Sequence, residues 1–378
     1  QGLLEAQYLG DTDRATLTVF GAYRDLRLKQ DFTGYLLEEQ PPDGGEATSP
    51  GDLAEQVNGM ADLGFTGSYR RLALPLRWIR FVEAGVSVRH SRIDQSMRRL
   101  RLVDRSPWLD EISAELALTG VGVYLGTELR PIRWLAFRGG ARLDVLAAQI
   151  HDRLGFDGEG GRRDALGAQM SPRVTIEALP LTGLSIFSSY GRGLRSPHAL
   201  SLGDGERAPL TTIDSGELGI ALNRSSRADA RLAGFCTYIE QDLIFDHATG
   251  RNIFTGETLR AGLVLTLGAE MTSWARVAAN LTWTKAIHLE TKDDVPYVPP
   301  IVARGDLILG RRLARWRERD LRLEGMINVS MIGRRPLPYG ERSRSVVLLD
   351  ASASIRFGEV ELGVAMRNIT NRKWRDGE

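Results

Sequence analysis

The stretch Ser345–Arg372, SVVLLDASASIRFGEVELGVAMRNITNR, decides the fold class. Up to Phe357, alternate residues divide into an apolar and a more polar set, and the alternation resumes after the Gly358-Glu359 turn. The apolar set is Val347, Leu349, Ala351, Ala353, Ile355, Phe357, Val360, Leu362, Val364 and Met366. Successive strand side chains point to opposite sides of a sheet, so a period of two predicts a β-hairpin. Its apolar face must pack against either a second sheet or lipid.

The composition limits the classes of protein that the chain can belong to. A length of 378 residues suits two domains or one large barrel. The net charge of +1 gives no indication of nucleic-acid binding. A hydrophobic fraction of 42% and a mean hydropathy of −0.20 fit a soluble protein, but also a membrane barrel with a polar lumen. No run of about 18 apolar residues predicts a transmembrane helix, and the single cysteine, Cys236, excludes an internal disulfide.

The same alternation recurs along the chain and predicts about 16 strands. They are placed near residues 2–10, 15–30, 57–70, 79–96, 112–129, 134–150, 166–179, 184–192, 213–223, 228–246, 260–271, 275–290, 300–313, 320–334, 345–357 and 360–370. Short turns alternate with long polar loops, which are placed near 31–56, 97–111, 151–165, 193–212, 247–259, 291–299 and 335–344. Outer-membrane barrels have this asymmetry, with short periplasmic turns and long extracellular loops. The predicted fold class is all-β, a transmembrane antiparallel up-and-down β-barrel.

Tryptophans mark the short turns. Trp78, Trp134 and Trp274 each stand at the start of a predicted strand, and Trp316 lies in another short turn. Tryptophan concentrates at membrane–water interfaces, where its ring is half apolar and half hydrated. These four residues are therefore predicted to form a membrane-interface girdle. The alternative is that they cover the end of a soluble core.

Three segments resemble one family of membrane proteins. Tyr190-Gly-Arg-Gly-Leu-Arg-Ser-Pro197 resembles the G-x-G-[FL]-R-[SA]-P segment of TonB-dependent outer-membrane receptors, and Ser215-Gly-Glu-Leu-Gly219 resembles their S-x-E-x-G strand entry. Val364–Trp374 resembles their strand near the C-terminus, with the pattern v-x-N-[IL]-x-[ND]-x-x-[WY]. The order and separation of the three segments also fit the family. The motifs cover the chain from about its middle to its end, whereas the earlier hairpins resemble the family only in their architecture.

The resemblance implies a barrel of about 22 strands around an N-terminal plug. We expect residues 1–378 to be part of that barrel, roughly strands 6 to 21, with the plug and the final strand outside this chain. Such a portion would have open edges and should not be stable alone. The implied function is import of a scarce nutrient, such as a ferric siderophore or another metal chelate, by a monomeric receptor in the outer membrane of a Gram-negative bacterium. The implied partners are outer-membrane lipid, a small-molecule ligand and the TonB complex, which acts through the plug.

Polar residues suggest where a ligand could bind. The candidates are Arg89, Arg138 and Arg142 in the predicted lumen, with His151 and His247 at the ends of strands or in long loops. Guanidinium groups suit anionic chelates. The competing interpretation is that these arginines, with Arg304 and Arg322, pair with carboxylates of the lumen or of the plug, and that loops simply collect polar residues. No two histidines have the spacing of metal ligands, so no metal site is predicted.

Neither a catalytic constellation nor a cofactor-binding motif is present, so the chain is not predicted to be an enzyme. Two alternatives to the receptor remain at this stage. A passive diffusion porin of about 16 strands would use a constriction loop, for which only 31–56 is long enough. A soluble all-β binding protein would carry polar residues on the outward face of some strands.

Overall fold

Long antiparallel strands dominate the structure. The computed structural model describes residues 1–31, 53–72, 74–101, 104–154, 161–195, 210–225, 227–246, 251–317 and 319–373. The strands are β1 (Gly2–Leu9), β2 (Asp13–Asp31), β3 (Leu53–Arg71), β4 (Ile79–Leu100), β5 (Pro107–Ile132), β6 (Leu135–Asp152), β7 (Gly161–Leu181), β8 (Leu184–Arg195), β9 (Thr211–Ser225), β10 (Ala228–Ile239), β11 (Leu243–Asp246), β12 (Arg251–Phe254), β13 (Thr258–Thr272), β14 (Ala275–His288), β15 (Ile301–Trp316), β16 (Arg319–Ile332), β17 (Val346–Phe357) and β18 (Val360–Met366). One helical turn, Pro338–Gly340, precedes β17.

The strands form a single sheet in chain order. Sixteen of them make this sheet, and β11 pairs separately with β12. The predicted all-β class and the up-and-down order of strands are confirmed. Within the described residues, no helix is long and apolar enough to cross a membrane.

Two predicted boundaries are wrong. The strand placed at 228–246 ends at Ile239, because Asp242 leaves the sheet ladder and turns its carboxylate toward Thr258 and Arg260. Residues 243–246 then pair with 251–254, inside a segment that was predicted to be a loop.

The loop placed at 97–111 is also much shorter than predicted. The β4–β5 ladder continues to Leu100 and Pro107, and the Asp104 carboxylate accepts a 3.0 Å bond from the Ser106 amide in the remaining turn. The polar residues of this segment are compatible with a strand because they pair across it, as Arg99 does with Glu111 at 2.8 Å.

Side chains divide cleanly between two faces of the sheet. In the hairpin that decides the fold, Phe357 is paired with Val360 and Ala351 with Met366, so the apolar sets of both strands share a face as predicted. We call this side the apolar face, and the side that carries Asp350, Ser352 and Ser354 the polar face. Large residues of the apolar face are exposed along the sheet: the exposed fraction is 64% for Leu63, 74% for Leu166 and 64% for Leu218. A continuous exposed apolar surface of this extent is typical of contact with lipid.

The tryptophans lie at one end of the sheet. Trp78, Trp134 and Trp274 occupy the short turns before β4, β6 and β14 and are 42–51% exposed. Trp316 is the last residue of β15, at the same end. We call this the short-turn end and the opposite one the long-loop end. Trp283 lies on the apolar face nine residues beyond Trp274, which at about 3.3 Å per residue and a tilt of about 45° spans roughly 21 Å. That depth is close to the ~25 Å apolar band of outer-membrane barrels; the girdle itself remains a prediction.

The polarity of the two faces inverts at the long-loop end of β3–β6. Here the polar face carries buried apolar side chains, in one cluster of Ile93, Ala114, Leu116 and Ile150 and a second of Ala54, Met97 and Ile112. The opposite face carries charged residues instead. The β5–β6 register has no shift between the pair Leu129–Phe137 and the pair Ala114–Asp152. The inversion is therefore a property of the sequence and not of a slipped strand. It places the boundary of the apolar band within these strands.

The outermost strands, β1 and β18, are exposed on both faces. Leu4 of β1 is 76% exposed and Leu362 of β18 is 71% exposed. Among the described residues neither strand has a second neighbour in the sheet.

Candidate functional site

Ion pairs cover the polar face of β3–β7. Glu83 on β4 binds Arg70 on β3 and accepts a 2.7 Å hydrogen bond from the Tyr124 hydroxyl on β5. Asp62, whose side chain is 2% exposed, accepts hydrogen bonds from Arg89 at 2.9 Å and from Ser91 at 2.6 Å. Each of these contacts joins neighbouring strands, so the network holds β3, β4 and β5 together and also gives the polar face its charged groups.

The three predicted ligand-binding arginines all lie on this polar face. Arg89 binds Asp62, Arg142 binds Asp144 through Nε at 2.8 Å, and Arg138 bridges Glu128 and Glu177 at 3.0 Å each. Their side chains are 38–50% exposed. A carboxylate already neutralises each guanidinium, as the competing interpretation of the sequence expects.

A glycine lets two of these arginines approach one another. Arg142 on β6 reaches across Gly122 on β5 to the Ser87 hydroxyl on β4, which it contacts at 2.6 Å. A Cβ at Gly122 would collide with the Arg142 guanidinium. Ser87 is two residues from Arg89 on the same face. The structure therefore groups Arg89 and Arg142, with Arg138 four residues before Arg142 on β6, about 13 Å away along the strand.

The opposite wall of the sheet repeats this pattern. Arg304 on β15 binds Asp306 at 3.0 Å, and Asp306 also accepts a 2.7 Å bond from Asn328. Arg322 binds Asp320 at 3.3 Å. Charge alternation on the polar face is thus general and not confined to one binding patch.

The histidines are less favourably placed for a common site. His151 belongs to the apolar side of β6, where its register partner is Arg162, and so it faces away from Arg138 and Arg142. His90 lies near the middle of β4, and its Nδ1 is 2.9 Å from the Thr119 hydroxyl. His247 lies outside the described residues, as do Ser196 and Pro197 of the first motif and Trp374.

The hairpin β11–β12 is anchored over the polar face at the long-loop end. Asp242, at its base, accepts hydrogen bonds from the Thr258 hydroxyl at 2.8 Å and from Arg260 at 2.5 Å. Both partners are on the polar face of β13, because Thr258 is paired with Ile239 and Arg260 with Thr237. Ile244 of β11 packs on Ala286 and Val295. The hairpin therefore folds toward the mouth of the curved sheet and not toward the apolar face.

Arg195 of the Arg-Ser-Pro motif supports the same base. Its guanidinium donates to the Thr211 hydroxyl and to the Gln241 carbonyl, both at 3.2 Å. These bonds place Arg195 at the junction of β8, β9 and the hairpin. The hairpin was not predicted from the sequence, although two short apolar runs, Leu243–Phe245 and Ile253–Phe254, flank a glycine turn signal at 247–250.

No group of three or more His, Cys, Asp or Glu side chains in the described part of the chain could hold a metal ion. The polar face offers instead an array of guanidinium, carboxylate, hydroxyl and amide groups. Such an array can bind a polar solute or the polar surface of another domain by hydrogen bonds.

Comparison with known proteins identifies the family. The family model described as TonB dependent receptor-like, beta-barrel, matches residues 3–369. A search of curated protein sequences found no match. The match favours the receptor over the porin and the soluble binding protein considered from sequence.

Solved structures share the fold. The ferric yersiniabactin uptake receptor FyuA from Yersinia pestis superposes with a TM-score of 0.76 at 13% identity, over 98% of this chain and 56% of the receptor. The corresponding values for the copper transporter OprC are 0.73, 13%, 99% and 61%. For the ferric preacinetobactin receptor BauA from Acinetobacter baumannii they are 0.72, 14%, 98% and 58%.

This chain thus spans little more than half the length of the receptors that it resembles. At these identities the superpositions establish the fold alone. Because the family model covers nearly all of the sheet, the chain belongs to the TonB-dependent receptors and matches their β-barrel domain.

Proposed function

We propose that the protein imports a metal chelate, such as a ferric siderophore, across the outer membrane of a Gram-negative bacterium with energy supplied through TonB. The observation that carries the proposal is the pairing of a lipid-compatible apolar face with a wide, ion-paired polar face in a TonB-dependent receptor barrel. The similar structures include two ferric-chelate receptors and a copper transporter, which supports a metal complex as the cargo.

The polar face suits a lumen filled by a plug. Arg138 bridges two carboxylates yet keeps 43% of its side chain exposed, so it can also donate hydrogen bonds to groups inside the barrel. Exposed ion pairs cost little to rearrange, since each contributes only about 0–1 kcal/mol. A wall of such pairs can hold a plug and release it when TonB pulls. The plug, the TonB-contacting segment and the strands that pair with β1 and β18 would lie elsewhere in the full-length protein, as part of a monomer.

The mouth of the barrel would supply selectivity. Hairpin β11–β12 projects over the polar face, and Arg89 and Arg142 line the wall below the long-loop end. Arg89, Arg138 and Arg142 are proposed as the wall that an anionic chelate meets on its way through. His247, which follows β11 in the sequence, remains a proposed contact; His151 faces outward and is a weaker one.

Uptake of radiolabelled iron tests the proposal. Cells that lack the gene would be complemented with the full-length protein, in backgrounds with and without TonB, and offered ferric citrate, a ferric catecholate and a ferric hydroxamate. We expect accumulation of at least one complex that requires both the protein and TonB. Accumulation that persists without TonB, or leakage of small sugars through reconstituted vesicles, would refute energised transport and favour a passive pore.

A further inference from the structure

The short turns of the sheet follow a regular step. β4 pairs with β5 only as far as Leu129, and β5 continues for three residues, to Ile132, before it turns into β6. The same step recurs at the next three short turns, from Ala178 to Leu181, from Leu222 to Ser225 and from Ala269 to Thr272. Three residues and two strand spacings are each about 10 Å, so the step corresponds to strands tilted by about 45° with all their turns at one level.

Hairpin β15–β16 departs from this step. β14 pairs with β15 only as far as Leu309, yet β15 continues for seven residues, to Trp316, which pairs with Arg319. One of the seven, Leu313, is the extra residue of a β-bulge. The hairpin is therefore about three ladder pairs longer than the regular step, or roughly 10 Å along the strand. We call residues 310–322 the overhang.

The next short turn shows that this excess is local. The Gly358-Glu359 turn lies five to six residues past Ala353, which is level with Leu309 through Gly325, and two regular steps amount to six residues. At a tilt of about 45°, the tip of the overhang extends about 7 Å beyond the level of the neighbouring turns. The headgroup layer on each side of a bilayer is about 5–7 Å thick, so the overhang spans that layer.

The overhang is strongly basic. It contains two carboxylates, Glu318 and Asp320, against six arginines: Arg311, Arg312, Arg315, Arg317, Arg319 and Arg322. Asp320 lies 3.3 Å from Arg322 and 3.8 Å from Arg312. Arg311, Arg315 and Arg319 are exposed and make no ion pair with any side chain that the structure describes. The overhang thus has positive charge that the described part of the chain does not neutralise.

Two of these free arginines are on the apolar face. Arg311 is paired with Leu323, and Arg319 precedes Leu321 by two residues, while both leucines are opposite apolar residues of β17. The stem of Arg319 lies against the next turn, since a Cβ at Gly358 would be 3.1 Å from its Cδ. Leu323 is 45% exposed. An arginine at the edge of an apolar surface keeps its stem on that surface and extends its guanidinium into the polar layer.

We propose that Arg311 and Arg319 bind the phosphates of anionic phospholipids in the periplasmic leaflet of the outer membrane. This rests on the proposed function only for the orientation, in which the short-turn end faces the periplasm. Guanidinium forks bind phosphate oxygens in a bidentate manner. Leu321 and Leu323 extend the lipid-facing surface up to these two arginines, so one lipid meets an apolar surface with its acyl chains and a cation with its headgroup. An acidic protein would leave those leucines unmatched.

Native mass spectrometry of the full-length protein in detergent tests this assignment. The lipid probes are phosphatidylglycerol, phosphatidylcholine and lipopolysaccharide, and a polyglutamate peptide represents an acidic protein. The test variant is Arg311→Gln/Arg319→Gln. The matched control, Arg312→Gln/Arg315→Gln, removes the same charge from the polar face of the same hairpin, where Arg315 is opposite Asp320.

We expect the wild type and the control to retain phosphatidylglycerol to within about twofold of each other. The test variant should retain at least tenfold less, because each arginine beside an anionic surface strengthens binding about fivefold. Phosphatidylcholine should bind all three proteins weakly.

Equal retention of phosphatidylglycerol by the wild type and the test variant, an equal loss in the control, or retention of phosphatidylcholine as strong as that of phosphatidylglycerol would overturn the assignment. Polyglutamate binding without a preference for phosphatidylglycerol would overturn it in favour of an acidic protein. A preference for lipopolysaccharide that depends on the same two arginines would overturn it by reversing the orientation. Gel mobility before and after heating reports the folding of each variant. Iron uptake, measured in parallel, separates failure of this site from failure of the transport function.

Discussion

Ala278 and Ala279 on β14 provide a matched test of the two faces. Ala278 is on the polar face, where its register partners are Gly268 and Asp306. Ala279 is on the apolar face, opposite Leu267 and Gly305. Ala279 lies five residues after Trp274 and four before Trp283, which puts it about 9–12 Å from either end of the apolar band. It is thus close to the midplane of the proposed bilayer.

An arginine at these two positions should have very different effects. At the midplane of a barrel's lipid-facing surface, arginine costs about 2–4 kcal/mol. Ala279→Arg should therefore lower the folding equilibrium constant in a bilayer by about 30- to 700-fold. Ala278→Arg places the same charge beside Asp306, in a face that already alternates arginines and carboxylates. It should change the free energy of unfolding by less than about 1 kcal/mol.

The assay is urea-dependent folding of the full-length protein into phospholipid vesicles, followed by tryptophan fluorescence and by gel mobility. Because the two variants differ only in the face that receives the charge, propensity and side-chain entropy cancel between them. Equal destabilisation by both variants, or greater destabilisation by Ala278→Arg, would refute the assignment of the two faces.

Three further predictions concern single residues. Gly219→Ala should destabilise the barrel by about 1–3 kcal/mol, because a Cβ would lie 2.5 Å from the Phe187 ring and 2.7 Å from the Leu232 carbonyl oxygen. Gly305→Ala, whose Cβ would have nothing within 4 Å, should be neutral in the same urea titration, and equal losses of stability in the two variants would contradict the packing described. Asp242→Ala removes the bonds to Thr258 and Arg260 and should release hairpin β11–β12 at a cost of about 1–3 kcal/mol. Amide exchange at 243–246 and 251–254 should then accelerate while β9 stays protected, and unchanged exchange in the hairpin would show that the anchor is unimportant. At the long-loop end, beyond the apolar band, the hydrogen bond from Arg27 lowers the pKa of the Glu55 carboxyl. The ionised carboxylate therefore stabilises the folded protein at pH values above the unfolded pKa of about 4.3, and this stabilisation is lost as the pH falls through the folded-state pKa. Acidification should then accelerate hydrogen exchange at the long-loop end of β2–β3, and Glu55→Gln should remove that pH dependence.

The hairpin around Gly358 shows how much of the fold the sequence contains. Strand side chains alternate with a fixed period of two, so the pattern of Val347 to Phe357 determines both the strand and the face that each residue occupies. Gly358 adopts a φ of +62°, which the tight turn requires and which glycine tolerates without strain. The family resemblance came from the same region, and the family model then extended it to the earlier hairpins.

Strand lengths were harder to predict, for a physical reason. Beyond the apolar band, the two faces of β4–β6 exchange polarity, so charged residues such as Arg98 and Arg99 resemble those of a polar loop. They stay in the β4–β5 ladder, where Arg98 pairs with Asp110 and Arg99 with Glu111 across the two strands. A pattern that assumes one polar and one apolar face throughout ends such strands too early.

The candidate site was predicted only in outline. The alternation of side chains along each strand predicts which arginines lie on the polar face. Their partners depend on which strands are neighbours in the sheet, so the bridge from Arg138 to both Glu128 and Glu177 could not be predicted from the sequence. His151 illustrates the opposite error. It is at the predicted end of its strand, yet an odd-numbered position on β6 directs it away from Arg138 and Arg142.

The central claim is that the alternating faces of this sheet separate lipid from an aqueous lumen. The most direct measurement is spin-label accessibility along β17, with single cysteines at each position from 346 to 357 in a full-length Cys236→Ser protein reconstituted in bilayers. The account predicts that collisions with oxygen peak at 347, 349, 351, 353 and 355, and that collisions with a water-soluble nickel chelate peak at the positions between them. Accessibility that does not alternate, or that alternates with the opposite phase, would contradict it.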